Sequence, residues 1–195
     1  MISAILLAAG MSRRMGAENK LLLPFRGKPL VAHIIEEILA SQPGEIIVVT
    51  GHEAEEINFL LKDKPVKIVY NEKYSEGMTT SIQAGVRNAN ETSEGYMICL
   101  SDQPLITAAE YRLIVDAFLR EKRTDEKTIQ VPIFEGKRGN PVIFSFVYRA
   151  IILEHKRMEG CREIISGNPS HVHYLSVENS HILTDIDTPE DYGKL

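Results

Sequence analysis

Short apolar runs alternate with amphipathic segments over the first 120 residues, and this alternation constrains the fold more than any other feature of the chain. The runs have the length of strands buried on both faces, and the first of them, 2–8, ends at Ala9-Gly10. The segments between the runs carry apolar residues at helical spacing. We expect strands at 2–8, 45–50, 66–70 and 96–100, and helices at 30–39, 53–62, 79–90 and 108–122.

This order of elements predicts an α/β fold with three layers, in which helices cover both faces of a mainly parallel sheet. In the second half, two further apolar runs, 128–133 and 141–146, flank a turn-rich stretch at 135–140, so we expect a mixed sheet. Another strand is expected at 172–177. Because the chain has 195 residues and domains average about 150, a single domain over 1–195 is favoured.

Charge and composition exclude several classes of protein. The net charge of −5 leaves no general basic surface for a nucleic-acid backbone. No apolar run approaches the ~20 residues of a membrane helix. The two cysteines lack metal-type spacing, and the apolar amino-terminal stretch is followed, not preceded, by arginines, unlike a signal peptide. We therefore expect a cytoplasmic protein that binds neither nucleic acid nor membrane.

The loop after the first expected strand is basic and rich in small residues. Between residues 10 and 28 there is one acidic residue against five basic ones: Arg13, Arg14, Lys20, Arg26 and Lys28. Small residues let backbone N–H groups approach an oxyanion, and arginine and lysine add charge. The spacing matches neither the P-loop nor the dinucleotide-binding pattern. The loop predicts a phosphate-binding site; the alternative is a surface loop with solvated arginines.

Two acidic positions could complete such a site. Asp102 follows the strand expected at 96–100, and Asp185 and Asp187 stand at alternate positions near the other end of the chain. Mg²⁺ takes one or two protein carboxylates and fills its other positions with water and phosphates. We expect Asp102 and Asp187 to be the ligands, with Asp185 open as an alternative. Asp102 could instead be a turn residue, and the stretch 187–190 could begin a helix capped by Asp187 or Thr188.

Several motifs, taken together, resemble the MobA-like nucleotidyltransferases, and within them the molybdenum cofactor cytidylyltransferases. The motifs occur in the family's order: LAAGMSRRMG at 7–16 with Lys20, NEKYSEGMTTSIQAG at 71–85, SDQP at 101–104, RGNPVIF at 138–144 and DIDTPEDY at 185–192. The resemblance implies a Rossmann-like, GT-A-like nucleotidyltransferase fold. It also implies transfer of a nucleoside monophosphate from a triphosphate to a phosphate acceptor, with release of pyrophosphate.

The resemblance assigns roles to individual residues. The residues that would line the nucleotide are Ala8, Ala9, Gly10 and Ser12. Arg13 and Lys20 would contact the phosphates, and Asp102 and Asp187 would hold Mg²⁺. The base and ribose pocket would involve Asn71, Gly77 and Ser81. Such chemistry needs positioning and charge neutralisation rather than a protein nucleophile.

The resemblance also suggests the substrates. Ala8-Ala9-Gly10 is typical of relatives that use CTP, so we expect CTP as donor and a molybdopterin-type cofactor as acceptor. The product would serve a molybdenum hydroxylase such as a xanthine dehydrogenase. Residues 157–162 depart from the Gly-Asp-x-Gly-Ala-Arg pattern of such enzymes on the acceptor side. The alternatives are a sugar or polyol phosphate as acceptor, or a carrier that binds the cofactor without chemistry.

Overall fold

The structure, a computed structural model, describes residues 1–10 and 19–193, which form ten strands and seven α-helices. The strands are β1 (Ile2–Ala8), β2 (Pro24–Phe25), β3 (Lys28–Pro29), β4 (Glu45–Thr50), β5 (Lys67–Tyr70), β6 (Gly95–Leu100), β7 (Ile129–Phe134), β8 (Lys137–Arg138), β9 (Val142–Ser145) and β10 (Val172–Ser176). The helices are α1 (Leu30–Ala40), α2 (Ala54–Leu61), α3 (Met78–Asn88), α4 (Ala108–Glu121), α5 (Arg149–Glu154), α6 (Arg162–Gly167) and α7 (Pro189–Tyr192). No described helix has both the length and the apolar character needed to span a membrane.

The central sheet is mixed but largely parallel, as the sequence predicts. Its strands run in the order β10-β7-β9-β6-β1-β4-β5, and β8 pairs with β7. The β1 strand is parallel to both of its neighbours, β4 and β6, whereas β9 is antiparallel to β6 and β7. The reversal follows from the turn-rich stretch between β7 and β9. The carboxyl ends of β1, β4 and β6 therefore share one edge of the sheet.

Two apolar clusters cover the two faces of the sheet and confirm the three-layer arrangement. Alternate residues of β1 enter opposite clusters: Leu6 and Ala8 contact the face covered by α1 and α4, whereas Ile5 and Leu7 contact the face covered by α3. Both faces of β1 are therefore buried, which explains its continuous apolar sequence.

The predicted helix bounds are within two residues of those observed, and local chemistry explains the differences. The second helix begins at Ala54 rather than residue 53, because Glu53 adopts a left-handed conformation with φ of 51°. The fourth helix begins at Ala108 as predicted, because the Thr107 side chain forms a reciprocal capping box with Glu110. The third helix ends at Asn88 because Ala89 is extended.

Helix α3 lies unusually close to β1, and this contact fixes one wall of the site described below. A Cβ atom at Gly85 would lie 2.3 Å from Cγ2 of Ile5. Only glycine allows this approach without displacement of the helix. The α3 backbone is thus held directly against the central strand of the sheet.

Candidate active site

A cavity of about 350 Å³ opens at the shared carboxyl edge of β1 and β6. The two strand ends are joined by a hydrogen bond from Ser101 Oγ to Leu7 O of 2.7 Å. The 3₁₀ turn Lys20–Leu22 brings a lysine to the same edge, and α3 with its preceding loop forms the opposite wall. Seven of the residues proposed from the sequence line this cavity: Ala9, Gly10, Lys20, Gly77, Ser81, Asp102 and Asp187.

The ammonium group of Lys20 joins the two aspartates proposed as metal ligands. Its Nζ donates to Asp102 Oδ2 at 3.0 Å and to Asp187 Oδ1 at 3.1 Å. A third bond, of 2.8 Å, goes to the carbonyl oxygen of Ile186. The Ile186 N–H in turn donates to Asp102 O at 2.8 Å. Three segments that are distant in sequence thus converge on one charged group.

The Asp102 carboxylate uses one of its two oxygens, Oδ2, in the hydrogen bond from Lys20. Its Oδ1 is buried and has no hydrogen-bond partner among residues 1–10 and 19–193. A buried carboxylate oxygen is costly without a partner, and a divalent cation would satisfy it. Within the described part of the chain, no group of three or more His, Cys, Asp or Glu side chains could hold a metal ion. A cation at Asp102 and Asp187 would therefore need further ligands from water and phosphates, as Mg²⁺ ordinarily has.

The structure separates Asp185 from Asp187. The Asp187 side chain lines the cavity, and the helix after it is capped by Thr188, whose hydroxyl accepts from Asp191 N. Asp185 instead accepts a hydrogen bond of 2.7 Å from Gln103 Nε2. Burial, and then the negative charge of Asp102, raise the pKa of Asp185. The cap and the cavity position coexist in this stretch, and of the two alternate aspartates Asp187 is the one beside Lys20.

The remaining residues proposed for the nucleotide fall in different places. Asn71 is buried behind the cavity wall, where its Nδ2 donates to Thr80 Oγ1 at 2.9 Å and to Ser81 Oγ at 3.0 Å. Ala8 is fully buried in the core and does not line the cavity. Ser12 and Arg13 lie outside the described residues. Sequence reasoning missed six other lining residues, although all lie in or directly beside the motifs that carry the resemblance: Leu7, Tyr74, Ser75, Met78, Leu100 and Ser101.

A second cavity, of about 520 Å³, adjoins the first, and Met78 and Leu100 line both. Its walls are mostly apolar, with exposed Arg138 and Arg162 among the lining residues. Cys161 also lines it, and burial raises the pKa of this thiol to about 12. The stretch 157–162, which departs from the pattern of the resembled enzymes, supplies part of this wall.

Comparison with known proteins gives a consistent family match. The MobA-like NTP transferase domain matches residues 4–174. The molybdenum cofactor cytidylyltransferase of Escherichia coli is 28% identical over 194 residues, covering 98% of this chain and 93% of that protein. The purine catabolism protein PucB of Bacillus subtilis is 28% identical and covers 96% of this chain and 92% of that protein. Nicotine blue oxidoreductase of Paenarthrobacter nicotinovorans is 27% identical, with 100% and 96% covered.

Solved structures agree with the family match at the level of the fold. Rv0371c from Mycobacterium tuberculosis superposes with a TM-score of 0.85 at 22% identity, over 99% of this chain and 96% of that one. The same protein in a complex with manganese gives a TM-score of 0.79, over 100% and 97% of the two chains.

Proposed function

The chain belongs to the MobA-like NTP transferase family, which includes nucleotidyltransferase enzymes, and on this premise we propose that it transfers CMP from CTP to a molybdopterin-type molybdenum cofactor. Pyrophosphate leaves, and the product is the cytosine dinucleotide form of the cofactor, which a molybdenum hydroxylase would receive. The proposed metal is Mg²⁺. The named cytidylyltransferase relative supports this choice of reaction.

The observation that carries the proposal is the meeting of Lys20, Asp102 and Asp187 at the mouth of the smaller cavity. In the reaction, an acceptor phosphate oxygen bonds to the α-phosphorus as the bond to the pyrophosphate oxygen breaks. Negative charge develops on the leaving pyrophosphate, so preorganised cations stabilise the transition state. Lys20 would neutralise this charge, together with Arg13. Asp102 and Asp187 would hold Mg²⁺, which when bound supplies further charge neutralisation and Lewis acidity.

The choice of CTP rests on the wall formed by Ala9. Its side chain lines the smaller cavity although it is almost fully buried, and a Cβ atom at Gly51 would lie 3.0 Å from the Ala9 Cβ. Ala9 and Tyr74 both line this cavity, and the Ala9 methyl group leaves less room for a base at the strand end than a glycine would. A pyrimidine fits a narrowed pocket better than a purine does.

The choice of acceptor rests on the larger cavity. Apolar side chains such as Val142 and Phe144 suit an organic ring. Arg138 and Arg162 could bind the phosphate that must attack, although Glu159 and Glu163 line the same cavity. The two cavities are contiguous, which the reaction requires because both substrates must meet at the α-phosphorus.

Pyrophosphate release by the purified protein tests the proposal directly. With Mg²⁺ and a molybdopterin-type cofactor, we expect turnover with CTP and little with GTP or ATP. Asp102→Asn should lower the rate on the order of 10²-fold. Asp116→Asn is the matched control, because Asp116 is an exposed residue of α4 outside both cavities, and it should leave the rate unchanged.

The outcomes separate the alternatives. Turnover with a sugar or polyol phosphate but not with the cofactor would keep the reaction and replace the acceptor. Nucleotide and cofactor binding without any pyrophosphate release would indicate a carrier. Full activity of the Asp102→Asn variant would refute the role of that carboxylate.

A further inference from the structure

The divergent stretch 157–162 is attached to α3 through two of its backbone groups, in addition to the packing of the buried Cys161 side chain. The hydroxyl of Thr79, a residue only 1% exposed, donates to the carbonyl oxygen of Arg157 and accepts a bond of 3.0 Å from the Gly160 N–H. One side chain therefore satisfies two backbone groups that are three residues apart. This arrangement holds the path of the acceptor-side wall, and Gly160 allows that path with φ of 85°.

A second polar side chain, one helical turn further along α3, holds the chain just before that stretch. Gln83 Nε2 lies within hydrogen-bond distance of three carbonyl oxygens at the end of α5, at 3.0, 3.2 and 2.8 Å: those of Ile152, Leu153 and His155. Thr79 and Gln83 share one face of α3 because they are four positions apart. The whole connection from α5 to residue 160 therefore rests on this helix.

The loop before α3 contacts the same stretch. Gly77 has φ of 129°, and a Cβ atom there would lie 2.7 Å from the carbonyl oxygen of Met158. Both the conformation and the close approach require glycine. Since Gly77 lines the smaller cavity, the nucleotide-side loop and the acceptor-side wall are in direct backbone contact.

Another face of α3 lines the smaller cavity, where we propose that the nucleotide binds. Ser81 lines the smaller cavity, and Asn71 binds both Ser81 and Thr80 from behind. The first turn of α3 is thus shared by the two cavities, and the close approach at Gly85 places the helix directly against β1.

We propose that Thr79 is a positioning residue that couples the two cavities, so that a nucleotide bound against the first turn of α3 also fixes the backbone of 157–160 for the acceptor. This inference rests on the proposed function, in that the smaller cavity binds the nucleotide. Ordering of the acceptor-side wall by the nucleotide favours binding of the acceptor after the nucleotide.

Cys161 provides a probe of this coupling that needs no acceptor. Cys161 is 7% exposed as a residue and directly follows Gly160, which Thr79 holds, so the alkylation rate of its thiol reports opening of the stretch. Cys99, 1% exposed in β6, serves as the internal reference. The experiment measures iodoacetamide labelling of both thiols with and without CTP and Mg²⁺, and with GTP or ATP if CTP does not bind in calorimetric titration.

Three variants make the test specific. Thr79→Val keeps the shape but removes the hydroxyl, and Thr79→Ser keeps the hydroxyl. Thr128→Val is the matched control, because Thr128 is also fully buried and donates to a carbonyl, that of Asp125, at 2.6 Å, but lines neither cavity. It separates a general loss of stability from a loss of coupling.

In the wild type, Thr79→Ser and Thr128→Val, bound nucleotide should slow the labelling of Cys161. In Thr79→Val this protection should disappear, while the nucleotide Kd stays within about twofold of wild type. Retained protection in Thr79→Val would overturn the inference. So would a parallel loss of nucleotide affinity, because Thr79 would then belong to the nucleotide site itself.

The turnover assay adds a readout that a purely structural role would not move. Thr79→Val should raise the acceptor KM by about tenfold, because the net contribution of one hydrogen bond corresponds to a change of about that size. The nucleotide KM should change little. Equal changes in both KM values would contradict the coupling. If the cofactor supports no turnover in wild type, the acceptor assignment fails but the labelling result still decides the role of Thr79. If no triphosphate binds, both proposals are refuted.

Discussion

Replacing Lys20 with methionine separates the structural from the chemical role of its ammonium group. Methionine keeps most of the apolar stem, so the change removes mainly the charge. Asp102 and Asp187 would then face each other without the cation that joins them. The two nitrogen–oxygen distances are 3.0 and 3.1 Å. At an effective dielectric constant of about 20, the Coulomb attraction across each distance is roughly 5 kcal/mol before the cost of desolvation is subtracted.

The net effect is smaller because water reaches part of the cluster. Loss of one partner from a buried ion pair costs about 3–5 kcal/mol. The Lys20 side chain is 11% exposed, but those of Asp102 and Asp187 are 24% and 42% exposed, which allows screening. We expect Lys20→Met to lower the free energy of unfolding by about 2 kcal/mol in the absence of divalent cations.

Urea unfolding with and without Mg²⁺ or Mn²⁺ measures this loss and its recovery. A cation present at roughly 100 times its Kd adds about 2.7 kcal/mol. Because the ammonium no longer competes for the two carboxylates, the cation should stabilise Lys20→Met more than wild type. Activity should nevertheless stay on the order of 10²-fold lower, since the phosphates lose a contact.

Lys28→Met is the matched control for Lys20→Met. Lys28, like Lys64, pairs with Glu36 away from both cavities, and an exposed pair contributes less than about 1 kcal/mol. Divalent cations should stabilise the Lys28→Met variant no more than they stabilise the wild type. Equal stability of Lys20→Met and wild type, or equal stabilisation of both by the cation, would refute the reasoning.

Three further changes test the packing and the surface charges. Gly85→Ala places a Cβ atom 2.3 Å from Ile5 Cγ2, so thermal unfolding should show a net loss of about 1–2 kcal/mol after the gain in helix propensity; unchanged stability would contradict the close approach of α3. Gly77→Ala, blocked by φ of 129° and by Met158, should weaken nucleotide binding about tenfold in calorimetric titration. Hydrogen bonds from its two lysine partners lower the pKa of Glu36 from 4.5 to about 2, so its contribution is present above pH 4.5 and is lost as the pH falls towards 2. Because solvent screens this pair, Glu36→Gln should cost only about 0.5 kcal/mol at pH 7 in urea unfolding, and a difference that persists below pH 2 would contradict the sign.

The order of elements could be predicted because most of it is encoded locally. The strand expected at 2–8 is β1 as observed, since burial on both faces demands a continuous apolar run. The mixed direction of the second half also follows from a local signal, the turn-rich stretch between β7 and β9. The predicted start of a helix is less accurate where the backbone conformation of a single residue determines it, as with the left-handed Glu53.

Part of the candidate site could be predicted for a topological reason. Residues that follow parallel strands meet at one edge of the sheet, so the positions of Gly10 and Asp102 after β1 and β6 indicated a shared site. The preference for Asp187 over Asp185 could not be obtained in this way. It depends on Gln103, which binds Asp185 across a separation of 82 residues in sequence. The contacts of Thr79 and Gln83 could not be predicted either. Both side chains bind backbone atoms, and such bonds do not require particular side chains in the partner segment, so the sequence of that segment does not reveal them.

The geometry around Lys20 follows from backbone bonds more than from attraction between charges. The carbonyl of Asp102 accepts from the Ile186 N–H, and the carbonyl of Ile186 accepts from Lys20, both at 2.8 Å. The first of these bonds holds the carboxyl-terminal stretch against the loop after β6 whether or not the carboxylates are neutralised. Because like charges repel, two carboxylates kept close in this way require a cation between them. The fold itself therefore creates the demand for positive charge that Lys20 meets and that a substrate-bound divalent cation could also meet.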